Sequence, residues 1–281
     1  MDIVFWNIGV QISQDKLDLV ESIISDNSPD IFCICEGTPS RKDCIDLNNT
    51  FNANKYEEYV TPTSLERIGF SYLDDSLKLY VKKGTYKPFE IGKQTHKGRV
   101  VLIQSIVDNY NLLFLHNYSK GGIVHNNDSQ VEFFAGVKFW LNQFYSNIDH
   151  NQFVFIGDFN LEPWDSFNRK NFLLKCSFWE KDLMINNRVN GRKNKVYFNP
   201  AFEHIAKSNN LNLNGTYYNK NYGWAFFDYP IYNSEKYIVK YEVITSVNSG
   251  QEILKSNTKI KTDFLKKNID HLPIKVNIQK K

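Results

Sequence analysis

The sequence of 281 residues predicts an α/β (or α+β) fold of many strands and a few helices, in a single domain over residues 1–281. Three observations lead to this prediction. The chain opens with strand, helix and strand, short apolar runs typical of strands recur to its end, and no proline-rich linker, glycine-rich linker or internal repeat divides it. Hydrophobic residues make up 42% of the chain, which is enough to bury a core without disulfides.

The opening βαβ-like unit is predicted from the start of the chain. Ile3 to Trp6 form a short apolar run typical of a strand. A helix is predicted next, because apolar residues recur at helical spacing at Leu17, Val20, Ile23 and Ile24. The segment Asn27-Ser28-Pro29-Asp30 ends that helix. The run IFCICE then predicts a buried strand that finishes on the charge of Glu36.

Further strands are predicted wherever short apolar or alternating runs occur. They are Leu77–Val81, Val100–Val107, Leu112–Leu115, Phe153–Ile156, Tyr229–Tyr232, Tyr237–Ile244 and Ile274–Ile278. A long helix is predicted over Ser129–Tyr145. The aromatic content of 15% also argues for packed globular structure.

Charge and cysteine content exclude few classes of function. The net charge of +3 neither requires nor excludes a nucleic-acid partner. The four cysteines, Cys33, Cys35, Cys44 and Cys176, lack the paired spacing of a structural zinc site, so buried free thiols are expected. The N-terminus lacks the features of a signal peptide, and no apolar stretch approaches membrane-spanning length. We therefore expect a cytoplasmic protein.

Polar side chains follow several of the predicted strands. Asn7 ends the first strand, Glu36 the second, His116 and Asn117 the third, and Asp158 and Asn160 the fourth, while Asp270-His271 precedes the last. Each alone is typical of a turn or a surface charge, and a lone histidine of a packed core. Catalytic groups commonly lie where a rigid strand meets a loop, so the ordered set predicts an active site.

The ordered motifs resemble the endonuclease/exonuclease/phosphatase superfamily. They read WN at 6–7, CEG at 35–37, LHNYSK at 115–120, GDFN at 157–160, FFDYPIY at 226–232 and IDHLPI at 269–274. The resemblance spans nearly the whole chain. It implies the deoxyribonuclease I-like fold, a four-layer αββα sandwich of two mixed β-sheets flanked by helices.

Three positions depart from the family pattern. Ile269 stands where the family often has serine. Gly9 and His116 stand where abasic-site endonucleases of the family carry a polar residue and a tyrosine. These departures argue against a dedicated abasic-site enzyme.

The resemblance implies a divalent cation, Mg²⁺ or Mn²⁺, held by Glu36 with Asn7 and Asp270. Oxygen ligands of this kind suit Mg²⁺, which neutralises phosphate charge before water attacks. Asp158 would orient and deprotonate that water, and Asn160 would donate to a phosphate oxygen.

Two histidines complete the implied catalytic set. His271 would contact the scissile phosphate, with its tautomer fixed by Asp228. His116 would face the leaving group, oriented by Asp74 or Asp75. Substrate contacts are expected from Asn117, Lys120, Arg99, Lys266 and Lys267.

Three functions compete at this point. A nuclease is favoured by the resemblance and by two basic segments, 188–195 and 255–267, which are equally typical of solvated loops. A small-molecule or lipid phosphatase of the same superfamily is the alternative, because one fold hosts both. A catalytically inactive binding module is least favoured, because the motif residues are intact. The sequence does not choose DNA over RNA, or endonuclease over exonuclease action.

Overall fold

The computed structural model describes residues 1–36, 41–58, 77–84, 99–104, 111–118, 127–144, 153–163, 175–177, 196–201, 204, 215–219, 221, 223–247, 253–255, 259–260 and 269–281. Residues 105–107, the predicted end of one strand, lie outside these ranges, as does Tyr145 at the end of the predicted long helix.

The first half of the chain builds two helices and most of one sheet. Its elements are β1 (Asp2–Asn7), α1 (Gln14–Asn27), β2 (Ile31–Cys35), α2 (Arg41–Ala53), β3 (Tyr56–Glu58) and β4 (Lys78–Lys82). Helix α1 ends where the sequence predicts, because Ser28 adopts a left-handed φ of 42° and its N–H binds the carbonyl oxygen of Ile24 at 2.7 Å. Pro29 follows directly and prevents the helix from continuing.

The second half supplies the other sheet, two short hairpins and the closing strands. Its elements are β5 (Val100–Gln104), β6 (Asn111–His116), α3 (Asn127–Phe144), β7 (Phe153–Asp158), β8 (Lys175–Ser177), β9 (Val196–Phe198), β10 (Tyr217–Asn219), β11 (Gly223–Ala225), β12 (Asp228–Tyr232), β13 (Tyr237–Val243), β14 (Leu254–Lys255), β15 (Lys259–Ile260) and β16 (Ile274–Lys280).

Two six-stranded mixed sheets form the centre of the described structure. The first has the order β13-β16-β1-β2-β4-β3, and the second β5-β6-β7-β12-β9-β8. Strands β1 and β2 run parallel, as do β6 and β7, whereas β1–β16 and β7–β12 are antiparallel. Strand pairs β10–β11 and β14–β15 form separate hairpins.

The core lies in three apolar layers. One fills the space between the sheets, where Phe5 of β1 and Phe114 of β6 belong to the same cluster. A second joins the outer face of the first sheet to α1 and α2, and a third joins the outer face of the second sheet to α3. Side chains alternate across a strand, so Val4 and Trp6 face the helices while Ile3 and Phe5 face the other sheet. The predicted αββα sandwich is confirmed.

No helix in the described part of the chain combines the length and apolar character that a bilayer crossing requires. The cytoplasmic location expected from the sequence stays a prediction.

Candidate active site

The polar ends of the central strands meet at one edge of the sandwich. Asn7 ends β1 beside Cys35 of the parallel strand β2, and His116 ends β6 beside Asp158 of the parallel strand β7. The Nδ2 group of Asn7 donates to Oδ2 of Asp158 at 3.0 Å. This buried hydrogen bond joins the two sheets at the site and fixes the position of both side chains.

The GDFN motif forms a tight turn that presents Asp158. A Cβ atom at Gly157 would lie 1.9 Å from the carbonyl oxygen of Leu115, so only glycine permits this close approach of β6 and β7. The Oδ1 atom of Asp158 accepts the N–H of Asn160 at 2.8 Å, and Asn160 adopts a left-handed φ of 49°. Asparagine tolerates that conformation better than most residues.

Asp158 is fully buried and lies between two histidines. The Nε2 atoms of His116 and His271 are each 3.9 Å from its Oδ2. Burial and the nearby charge of Asp228 raise the pKa of Asp158 to about 6, although both histidines and the Asn7 hydrogen bond act in the opposite direction. A carboxylate that titrates this close to neutral pH suits a general base.

His271 and Asp228 form a buried pair. The Nδ1 atom of His271 lies 2.9 Å from Oδ2 of Asp228, whose own partner across β7–β12 is Asp158. Burial acts to lower the pKa of His271. The charge and hydrogen bond of Asp228, with the charges of Asp158 and Asp270, outweigh burial and raise the pKa to about 10. A histidine with this pKa is protonated at neutral pH, so its Nδ1–H donates to Asp228 and its Nε2–H remains as a second donor.

Thr216 and Tyr217 support this pair, and the sequence analysis did not identify them. The Oγ1 atom of Thr216 accepts the N–H of Asp228 at 3.0 Å, and its carbonyl oxygen accepts the N–H of Leu272 at 2.7 Å. The ring of Tyr217 lies 4.7 Å from the imidazole of His271. Thr216 directly precedes the β10–β11 hairpin and Tyr217 begins it, in a stretch without hydrophobic periodicity, so only the FFDYP motif downstream marks this region.

Glu36 and Asp270 lie at the other side of the site. Glu36 adopts a left-handed φ of 66°, which is uncommon outside glycine and is found often at functional sites. Burial acts to raise the pKa of Glu36, but the hydrogen bond and electrostatic interaction with His116, the charge of His271 and a hydrogen bond with Asn7 lower it to about 2. Burial and the charge of Glu36 raise the pKa of Asp270.

Two groups of side chains are candidates for holding a cation, and their chemistry favours one of them. Asp158, Asp228 and His271 each offer an atom within 4.8 Å of the others. His271 is positively charged and its Nδ1 is committed to Asp228, so this buried group suits proton and phosphate chemistry better than metal binding. Glu36 and Asp270 repel each other electrostatically, and with Asn7 they offer the oxygen atoms that Mg²⁺ prefers. The donor chemistry therefore fits a hard divalent cation.

The expected contact of Asn117 with substrate stays a prediction, and the structure shows which groups in the protein this side chain contacts. Its side chain is fully buried, its Nδ2 donates to the carbonyl oxygen of Phe159 at 2.9 Å, and its Oδ1 accepts the N–H of Tyr118 at 2.8 Å. Asn160 also donates through Nδ2 to the carbonyl oxygen of Asn117 at 2.9 Å. Asn117 therefore holds two loops together, and one N–H of the Asn160 amide is already engaged.

Lys16 is a buried cation beneath the site that the sequence analysis did not identify. Its Nζ donates to the carbonyl oxygens of Ile8 at 2.6 Å and Val10 at 3.3 Å, and the side chain is fully buried. Burial lowers the pKa of Lys16 to about 8, although Asp270 and Glu36 raise it. A lysine near the start of an amphipathic helix usually faces solvent, so only the structure reveals this position.

Several residues named from the sequence lie outside the described part of the chain. They are Asp74, Asp75, Lys120, Arg188, Arg192, Lys193, Lys195, Lys266 and Lys267. Their expected contributions stay predictions. Arg99 is described and contacts His116, with its Nη1 3.3 Å from the imidazole Nδ1.

Comparison with known proteins identifies the fold. No protein-family model matches the sequence, and no curated protein matches it. Solved structures do match over the whole chain. An AP endonuclease from Archaeoglobus fulgidus superposes with a TM-score of 0.55 at 12% identity, covering 99% of both chains.

The chain has the deoxyribonuclease I-like fold. A 3′ phosphatase from Neisseria, solved with a product DNA hairpin, gives a TM-score of 0.55 at 12% identity and 99% coverage of both chains. A conserved protein of unknown function from Enterococcus faecalis gives 0.56 at 14% identity and 100% coverage of both chains. The resemblance read from the motifs is confirmed at the level of fold, and identities this low show the fold alone.

Proposed function

We propose that this protein is a divalent-metal-dependent phosphoesterase that hydrolyses phosphodiester bonds. One observation carries the proposal. The side chains of Asp158, His271 and Glu36 are gathered around His116: the buried Oδ2 of Asp158, whose pKa is raised to about 6, lies 3.9 Å from Nε2 of both His271 and His116, and the same Nε2 of His116 lies 3.2 Å from Oε1 of Glu36. Hydrolysis of an anionic ester requires a base for water, a cation for the phosphate and ligands for a metal, and the three groups supply them.

Each residue has a definite task in this proposal. Asp158 accepts a proton from the attacking water. His271, held by Asp228 at 2.9 Å, donates through Nε2–H to a phosphate oxygen as negative charge builds up. Glu36, Asn7 and Asp270 hold Mg²⁺ or Mn²⁺, which neutralises phosphate charge when bound.

A nucleic acid, DNA or RNA, is the proposed substrate, and nuclease the proposed activity. Two structures of the same fold support this choice, since one is an AP endonuclease and the other a phosphatase bound to a DNA hairpin. The proposal includes backbone contacts by Lys120, Lys266 and Lys267. A small-molecule or lipid phosphatase is the second candidate, and the near balance of 34 basic and 31 acidic residues favours it.

Metal dependence is tested with the purified protein against plasmid, single-stranded DNA, RNA and a panel of phosphorylated small molecules. EDTA should abolish hydrolysis, and Mg²⁺ or Mn²⁺ should restore it. Glu36→Gln should weaken metal affinity, measured by calorimetry, while Glu58→Gln serves as the matched control because Glu58 pairs with Lys78 at 3.3 Å on β3 and β4. Full activity in the presence of chelator, with no metal detected in the protein by elemental analysis, would contradict the proposal.

The substrate class is tested by the salt dependence of binding. Each phosphate contact removed should flatten the slope of log affinity against log salt by about 0.7 to 0.9. Lys266→Ala with Lys267→Ala should therefore flatten the slope for a short oligonucleotide. An unchanged slope would show that neither lysine contacts the nucleic acid. If the wild-type protein binds no oligonucleotide, the small-molecule or lipid phosphatase becomes the preferred function.

A further inference from the structure

The side chain of His116 meets opposite kinds of partner at its two ring nitrogens. Nη1 of Arg99 lies 3.3 Å from Nδ1 of His116, and Oε1 of Glu36 lies 3.2 Å from Nε2. The imidazole is only 2% exposed, so water does not readily replace either partner. The ring therefore links a cation on one side to a carboxylate on the other.

Donor and acceptor chemistry selects one tautomer. A guanidinium has five N–H donors and no acceptor, so Nδ1 of His116 must accept from Arg99 and carries no proton. A carboxylate accepts only, so Nε2 must carry the proton that faces Glu36. The Oδ2 atom of Asp158, 3.9 Å from the same Nε2, favours the same assignment.

We infer that Arg99 is a positioning residue that fixes His116 in the tautomer with the proton on Nε2. The sequence predicts instead that an acid, Asp74 or Asp75, orients this histidine. An acid at Nδ1 would require the proton on Nδ1, whereas a guanidinium there requires its absence. His116 then acts as a fixed N–H donor toward Glu36.

Arg99 is itself held firmly for this task. Its Nη1 also donates to the carbonyl oxygens of His116 at 3.3 Å and Asn117 at 3.4 Å, and its guanidinium lies 4.5 Å from the ring centre of Tyr118. A planar cation with several fixed donors is more strongly oriented than an ammonium. The inferred sequence of contacts is Arg99 to His116 to Glu36. The contribution of these contacts to catalysis rests on the proposed function, whereas the assignment of the His116 tautomer does not.

The tautomer can be measured directly in the metal-free protein without substrate. Long-range ¹H–¹⁵N NMR distinguishes protonated from unprotonated ring nitrogens, and His116→Gln identifies which signals belong to His116. In the wild type, Nδ1 should be unprotonated and Nε2 protonated. In Arg99→Met, the proton should move wholly or partly to Nδ1. Arg99→Lys keeps a donor at this place and should retain the wild-type pattern.

A control variant separates the effect of the position of Arg99 from the effect of losing one positive charge. Lys240→Met removes one exposed positive charge from β13 and should leave the His116 signals unchanged. A wild-type His116 with a proton on Nδ1, or an Arg99→Met protein with unaltered His116 signals, would overturn the inference. If Arg99→Met does not fold, the wild-type spectrum alone still decides.

Activity gives a separate readout. Loss of a hydrogen-bonding partner behind the groups that touch metal or substrate typically costs about 10–100-fold in activity or metal affinity. Arg99→Met should lose that much in kcat, and Arg99→Lys should recover most of it. If the NMR result holds and no substrate is hydrolysed by any variant, the proposed function fails while the tautomer assignment stands.

Discussion

The pair formed by His271 and Asp228 should make the stability of the metal-free protein fall as the pH rises through neutrality. Asp228→Asn removes the charge that most strongly favours the imidazolium. A group whose pKa is raised on folding stabilises the protein below its ordinary pKa and loses that contribution as the pH rises toward the raised value. For His271 this window runs from 6.5 to about 10.

The lower part of the window isolates His271 among the described groups whose pKa changes. The raised pKa of Asp158, about 6, has its effect below the window, and the lowered pKa of Lys16 acts in the opposite direction mainly above pH 8, in the upper part of the window. Between pH 6.5 and 8.0, proton linkage for one histidine removes about 1.6 kcal/mol from the free energy of unfolding. Breaking the buried pair at pH 6.5 should cost about 3–5 kcal/mol.

Urea unfolding in EDTA at several pH values tests this reasoning. At pH 6.5 the free energy of unfolding of the wild type should exceed that of Asp228→Asn by about 3–5 kcal/mol. This difference should shrink by about 1.6 kcal/mol by pH 8.0. His271→Asn provides the control that lacks the titrating imidazole ring. A difference between wild type and His271→Asn that stays constant over this range would refute the charged state of His271.

Three further predictions follow from other contacts. Gly157→Ala should cost about 1–3 kcal/mol in urea unfolding, because its methyl group would lie 1.9 Å from the carbonyl oxygen of Leu115. Lys16→Met should lower the free energy of unfolding by about 1–3 kcal/mol, because two backbone carbonyl oxygens lose their donor; an unchanged midpoint contradicts this. Asp228→Asn and His271→Ala should each reduce kcat, and the double variant should cost little more than either, whereas additive losses would contradict a shared task.

The central strands and their polar ends were predictable because burial and chemistry change abruptly there. Five consecutive apolar residues of β2 are fully buried, and the next residue is Glu36. β7 likewise runs apolar into Gly157 and Asp158. The alternation of β1 between two apolar layers also follows from its position between helices and a second sheet. A fully buried strand that ends on a charged residue can therefore be recognised from the sequence alone.

Helix α2 and the short strands β8 to β11 carry no such signal. In α2 the fully buried side chains are few, Leu47 and Phe51 among them, and polar residues such as Asn48 make tertiary hydrogen bonds instead. Strands of three residues are too short to display alternation. β8 and β9 pair with each other across about twenty residues, and β10 pairs with β11 in a hairpin, so each strand depends on a partner and not on its own pattern. The contacts of Arg99 and Lys16 likewise lie on other segments.

The charge balance of the site connects these residues to a cation. Four carboxylates of the described residues interact there, at Glu36, Asp158, Asp228 and Asp270. Among the same residues, the cations His271, Lys16 and Arg99 oppose them. When all four carboxylates are ionised, this set keeps an excess of one negative charge, and burial together with the like-charged neighbours raises the pKa values of Asp158 and Asp270. A bound Mg²⁺ would more than offset that negative charge, so metal binding should also favour the ionised form of Asp158 that the proposed mechanism requires.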